Sequence, residues 1–461
     1  MSSTSGPLNF VVIVSDTLRR DHLGAYGNDW IHTPALDRVA QRSVVFENHL
    51  IGSFPTMPAR ADLLTGRLSL TFMTWAPLPT DLPTLPQLLS EAGYLTMGIV
   101  DTPFYVRNGF GYDRGFKDFD WIRGQGDGKR PEERADARST WRHESDRWVA
   151  RTTTAAEEWL ERHYEEPFFL LVDVWDPHEP WNPPDYYTKL YAPDYDGREP
   201  ETCYDNWREA GLTEDDVRLS HAAYSGEVSL MDRWVGRLID KLDVLGIADN
   251  TVLVFVSDHG YYFGEHDYLG KSVWDADLGT QSWSPLYREI VQVPLIIQMP
   301  GASPRRTPAL TTLVDVPATI LDLAGVEAPE GVAGRSLAPV LRGETDEHRE
   351  IVVSGWPLEY QKGRITIAVD SWPRRIAHDQ PITVTGHGLS LIVGGPDDDL
   401  ELYDLTADAG EQTNLAAERP QETIALLEET LAYLLSVGTA EELLAPRRAS
   451  LERFRATAGL G

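Results

Sequence analysis

Short apolar, β-branched runs alternating with amphipathic segments predict an α/β fold, a large mixed, mostly parallel sheet sandwiched by helices. A smaller carboxyl-terminal α+β part is expected after it, an antiparallel sheet with a helix. Three observations carry the expectation. The runs are apolar almost throughout, as strands covered on both faces require. Helical spacing fills the intervals between them. Composition then shifts at a charged stretch, and short strand-like runs with one long helical pattern follow it.

The first run is Asn9–Ser15 (NFVVIVS), followed by Leu95–Val100, Phe168–Val174 (FFLLVDV), Val252–Ser257 (VLVFVS) and Pro294–Gln298 (PLIIQ). Between the last two and those before them lies the longest helical pattern, Asp215–Leu245, where Ala223, Val228, Met231, Val235, Leu238 and Leu242 recur on one face and Gly246 supplies a stop. Arg123–Trp148, rich in charge and glycine, reads as a solvated excursion before a helix around Arg151–His163. Leu313–Leu323 is again helical. The charged stretch Arg342–Arg349 (RGETDEHR) divides the chain into residues 1–345 and 346–461. Beyond it, Ile351–Ser354, Arg364–Asp370 and Leu389–Val393 suggest antiparallel strands, and Gln421–Val437 a covering helix. The end, Arg447–Gly461, is expected to dock on another subunit or to fray.

With 461 residues, 42% of them hydrophobic, the chain can bury one large core and a satellite. Its formal net charge of -31 repels nucleic acid and anionic membrane surfaces, so neither is an expected partner. The single cysteine, Cys203, excludes an intrachain disulfide framework and a multi-cysteine zinc site. The amino terminus lacks a basic start and apolar stretch of leader type, and no run of about 18 apolar residues occurs. A cytoplasmic protein is expected, with a homo-oligomer left open.

The chemistry concentrates at Ser53–Arg67 (SFPTMPARADLLTGR). The hydroxyl of Thr56 is followed by Pro58, Arg60 and a short apolar run stopped by Gly66, which places a nucleophile at the mouth of a helix. Free N–H groups there attract anions, and Arg60 adds a fixed positive charge. Polar residues also follow the strand-like runs: Asp16, Asp101, Asp176 with His178, and Asp258 with His259. Ligands of open parallel sheets bind beyond the carboxyl ends of the strands, so these groups converge on one edge. Each alone has an ordinary use, as a helix cap or a hydrogen-bonded pair. Together, Asp258 and His259, with Gly260 allowing a tight turn, offer an oxygen and a ring nitrogen to one divalent cation. Asp16 supplies a third ligand and Thr56 a fourth.

Thr56-Met-Pro-Ala-Arg60 with Leu64-Thr-Gly-Arg67 resembles the sulfatase signature, Cys-or-Ser-x-Pro-Ser-Arg followed by Leu-Thr-Gly-Arg. Val12–Asn28 and Thr33–Phe46 are similar to the opening blocks of that family, a branch of the alkaline phosphatase superfamily. Asp176-Pro-His-Glu-Pro180 resembles its substrate-histidine segment, and Asn250–Gly260 with Gly264-Glu-His266 and Lys271 its second metal block. Leu402–Leu405 through Gly410–Leu415 resembles its carboxyl-terminal signature. The resemblance implies Asp16, Asp258, His259 and Thr56 as ligands of one Ca2+, Mn2+ or Zn2+ ion. It further implies Thr56 as nucleophile, Arg60 positioning it, and His178 and Lys271 contacting the anion or protonating the departing oxygen.

Two departures bear on the substrate, a small anionic ester. Many sulfatases convert the first signature residue to formylglycine, which a Thr cannot become. A Thr ester cannot collapse to an aldehyde, so turnover requires attack of water on the phosphoryl or sulfuryl group. Many members also carry Gly-Lys-Trp-His-Leu-Gly where this chain has Gly98–Tyr105 (GIVDTPFY). Members that cleave phosphonate monoesters and phosphodiesters lack that block too and rely on neutral contacts, for which Thr102 and Tyr105 are the candidates. Ser15-Asp16 in place of Asp-Asp resembles the same branch. The expected function is metal-dependent hydrolysis of sulfate, phosphate or phosphonate esters. The alternatives are a phosphodiesterase or phosphonate monoester hydrolase without sulfatase activity, and a silent anion-binding homologue. Trp175, Trp181, Trp274 and Trp283 lie near these motifs and are candidates for an apolar pocket floor, or for core packing.

Overall fold

A computed structural model describes residues 6–122, 141–275, 280–360, 375–376, 380–395 and 397–460. The expected strand at Arg364–Asp370 and most of the Arg123–Trp148 excursion lie outside them. In chain order the main sheet contains β1 (Asn9–Ser15), β2 (Val44–Leu50), β3 (Leu95–Val100), β4 (Asp118–Trp121), β5 (Phe168–Val174), β6 (Thr251–Ser257), β7 (Leu295–Gln298) and β8 (Arg305–Thr312). Across the sheet they lie in the order β8-β2-β7-β6-β1-β5-β3-β4. All are parallel except β7, which is antiparallel to both β2 and β6. Residues 258–294, where described, hold loops and short elements only. With no long helix there to carry the chain back across the sheet, β7 runs down from the edge where β6 ended.

The apolar runs are continuous because each strand feeds two cores. In β1, Val11 and Ile13 face one side and Phe10, Val12 and Val14 the other. The first side is covered by the helices α1 (Pro34–Ala40), α3 (Trp148–His163) and α4 (Glu214–Val244). On the second lie α2 (Thr56–Thr65) and α5 (Asp315–Ala324). The 31-residue α4 begins at a capping box between Thr213 and Asp216.

A separate antiparallel sheet follows, β9 (Ile351–Gly355), β10 (Ile382–Gly386), β11 (Leu389–Val393) and β12 (Glu401–Asp404), in that order. The helices α6 (Pro420–Ser436) and α7 (Glu441–Ala458) close its core. The terminal stretch expected to dock elsewhere or fray is therefore helical to Ala458, with Arg447 fully buried. A further apolar cluster joins the two sheets through Phe54, Tyr262, Val352 and Trp356. No described helix is long and apolar enough to cross a membrane.

Candidate active site

The two central strands β1 and β6 run side by side, Ser15 opposite Ser257, so the residues after them leave the carboxyl edge together. Ligand atoms of Asp16, Asp258 and His259 lie within 4.8 Å of one another, and all three residues are buried. Backbone geometry holds this set. Asp258 Oδ1 accepts from the amides of Thr17 and His259, both at 2.8 Å, and Asp16 Oδ1 accepts from the Thr17 hydroxyl at 2.7 Å. Thr17 takes a left-handed conformation, φ 63°. Gly260 is needed for close approach: a Cβ there would meet the Glu289 carbonyl oxygen at 1.9 Å.

Thr56 opens α2, and its hydroxyl oxygen lies 3.4 Å from His259 Nε2. His259 Nδ1 is 3.0 Å from the Gly260 carbonyl, which can only accept, so Nδ1 carries the hydrogen and Nε2 presents its lone pair to Thr56. Burial lowers the His259 pKa to about 3, keeping the ring neutral. Gly66, φ 67°, ends the helix as expected. Asp62, inside it, accepts from the Ser53 amide and hydroxyl and from the Ser69 amide, which ties down the chain on both sides.

These residues fit a divalent cation. The donor set is two carboxylates, an imidazole nitrogen and a hydroxyl. Asp16 Oδ2 is buried without a hydrogen bond, its nearest cation being Arg60 at 3.0 Å and out of line. Burial and the neighbouring Asp258 push the Asp16 pKa up, whereas for Asp258 burial is outweighed, chiefly by Arg60, and the carboxyl is held down. Four buried carboxylates, Asp16, Asp173, Asp258 and Glu179, face two buried cations, Arg60 and Lys271. Two positive charges would balance them.

Arg60, only 1% exposed, is committed to carboxylates. Its Nε and one terminal nitrogen donate to the two oxygens of Asp173 at 2.9 and 2.7 Å, and the other terminal nitrogen donates to Asp258 and, at 3.3 Å, to the Thr56 carbonyl. Thr102 and Tyr105, expected to face an ester, instead donate to the same Asp173 at 2.7 and 2.5 Å and are fully buried. They stand behind the guanidinium. Asp101 accepts from the Trp175 amide and the Thr152 hydroxyl, bracing a loop away from the Asp16 cluster.

Lys271 Nζ lies 3.2 Å from the Thr17 hydroxyl and 3.4 Å from Glu179 Oε1, which brings it to the edge of the acidic set. His178 stacks on Trp175, ring centroids 3.8 Å apart, with Nδ1 2.5 Å from the Glu179 carbonyl. Trp181 belongs to the core, and Trp283 packs edge-on against Trp356. The Trp274 side chain lies outside the described set. Asp173 and Glu179 were not singled out from sequence. The available signal was an acid inside the apolar run FFLLVDV, since a buried strand carboxylate needs a cationic partner.

At its carboxyl edge this α/β sheet thus carries an acid-rich, hydroxyl-bearing centre. The chain belongs to the sulfatase family, whose model matches residues 8–326. It is 25% identical to the N-acetylglucosamine-6-O-sulfatase of Bacteroides thetaiotaomicron, over 92% of this chain and 86% of the relative. It is 28% identical to the choline-sulfatase of Rhizobium meliloti, over 91% and 84%. The fold matches the phosphonate monoester hydrolase of Agrobacterium radiobacter with a TM-score of 0.74 at 20% identity, covering 93% of this chain and 96% of that one.

Proposed function

We propose that the protein is a metal-dependent ester hydrolase acting on sulfate, phosphodiester or phosphonate esters with Thr56 as nucleophile. The observation that carries this is the 3.4 Å separation between the Thr56 hydroxyl and the lone pair of His259, beside Asp16 and Asp258. Asp16, Asp258, His259 and Thr56 would hold one divalent cation, which when bound would lower the hydroxyl pKa and offset charge on the attacked ester. Arg60 positions Thr56 through its carbonyl, and Asp173 fixes Arg60. Lys271 contacts the anion and supplies a proton to the departing oxygen.

The nucleophile favours phosphorus over sulfur, because a phosphoryl centre accepts the water attack that a Thr ester demands. A panel of 4-nitrophenyl sulfate, bis(4-nitrophenyl) phosphate and a 4-nitrophenyl phosphonate, with metal-stripped and metal-restored protein, tests this directly. Activity is expected on the phosphorus esters, restored by metal, and lost by several orders of magnitude in Thr56→Ala with the fold intact. Comparable turnover by Thr56→Ala removes the nucleophile. No metal-dependent release from any ester leaves an anion-binding homologue.

A further inference from the structure

We infer that His178, held by Glu179 and Trp175, is the general base of the second half-reaction, taking a proton from the water that cleaves the Thr56 ester. That role presupposes Thr56 as nucleophile. A formylglycine ester expels its acid through a second hydroxyl on the same carbon, and a Thr ester has none. Water must attack the phosphorus or sulfur, and some group must receive its proton.

His178 offers an acceptor beside Glu179, the carboxylate that faces Lys271. Its Nδ1 is 2.5 Å from the Glu179 carbonyl oxygen, an acceptor only, so Nδ1 carries the hydrogen and Nε2 the free lone pair. A ring with this tautomer accepts a proton and has none to give from Nε2. The role of protonating the departing oxygen therefore falls to Lys271. Trp175 fixes the ring plane, stacking at 3.8 Å with 23° between the rings. Burial, together with the charges of Lys271 and Arg60, keeps the imidazole neutral at rest.

Glu179 completes the device. It is 6% exposed, and Oε2 lies 3.4 Å from His178 Nδ1. Its other oxygen faces Lys271. A carboxylate behind the far nitrogen of an imidazole fixes its tautomer and stabilises the imidazolium that forms. In the step, the water oxygen bonds to phosphorus and its proton passes to His178 Nε2. The bond from phosphorus to Thr56 Oγ breaks with its electron pair on Oγ, which regains a proton from solvent as His178 returns one to it. Glu179 acts through His178 and is a positioning residue.

Rapid-quench kinetics with bis(4-nitrophenyl) phosphate and manganese-supplied enzyme test the assignment. Nitrophenolate departs without needing a proton, so His178→Gln is expected to retain a stoichiometric burst. Its steady-state rate should fall on the order of 10²–10⁴-fold, with a nitrophenylphosphoryl adduct accumulating on Thr56 by peptide mass mapping. Glu179→Gln should accumulate the same adduct with a smaller loss. It should also move the acid limb of the second step to lower pH, because the imidazolium loses its carboxylate while Lys271 and Arg60 still oppose it. Repacking alone would not shift that limb. Burst and steady-state rates falling by one common factor, with no adduct, overturn the assignment, as does an unmoved acid limb in Glu179→Gln. Wild-type turnover by Thr56→Ala, with no adduct on any variant, removes the nucleophile itself and is a separate result.

Discussion

Asp173 shows how one side chain organises its neighbours. Fully buried, it takes two hydrogen bonds from Arg60 and one each from Thr102 and Tyr105, so removing any partner leaves charge or donor uncompensated. Asp173→Ala is expected to lose about 3–5 kcal/mol, the range for breaking a buried ion pair. Tyr105→Phe should lose about 1.5–3 kcal/mol, the worth of a hydrogen bond to a charged group. Both are read from urea unfolding, and a Tyr105→Phe protein of wild-type stability would show that the hydroxyl does not brace Asp173. The clustering of Asp16, Asp258 and His259 was legible in the sequence because these residues come at the ends of two strand-like runs. Asp173 was not, because a run declares burial but not a partner 113 positions away. Thr102 and Tyr105 were placed in the right region with the wrong neighbour for the same reason.

Among the elements, strands with uniform apolar composition were readable to within a residue or two, as β1, β3, β5 and β6 show. The missed ones carry polar residues. β2 contains Glu47, Asn48 and His49, and β8 contains two arginines and Pro308 beside a break in register between Thr307 and Leu310. β8 and β4 are edge strands, where solvent and bulges relax the apolar requirement. The start of α5 supplies a second test. Asp315, fully buried there, is bound by Arg349, which donates from Nε to Oδ2 at 2.9 Å. Burial would raise the Asp315 pKa, but Arg349 and surrounding hydrogen bonds override it and hold the carboxyl well below its usual range. A depressed carboxyl stabilises the fold above its unfolded pKa of about 4 and loses that contribution as the pH falls through the lower folded value. Arg349→Met is expected to cost about 3–5 kcal/mol at neutral pH and to flatten the acid limb of stability. A variant whose acid unfolding parallels the wild type contradicts the pairing.

The whole molecule sets an opposing field around its own site. A net charge of -31 repels an anionic ester, and screening should relieve that repulsion. Raising ionic strength from about 0.01 to 0.15 M shortens the Debye length from about 30 to about 8 Å. The second-order rate constant for a charged ester should therefore rise, whereas a fall with salt would mean that the local field of Lys271 and Arg60 dominates the approach. The division of the chain near residue 345 meets a different fact at β9. Gly355 exchanges backbone hydrogen bonds with Gly52 and Phe54, and the Ser354 hydroxyl donates to the Ile51 carbonyl. Trp356 packs edge-on against Phe54, whose ring touches His259. The segment beginning at β9 thus anchors the loop that leads into Thr56. A protein cut before Ile351 would therefore lose more than a terminal appendage, because the loop ahead of Thr56 would have no backbone partner on that side.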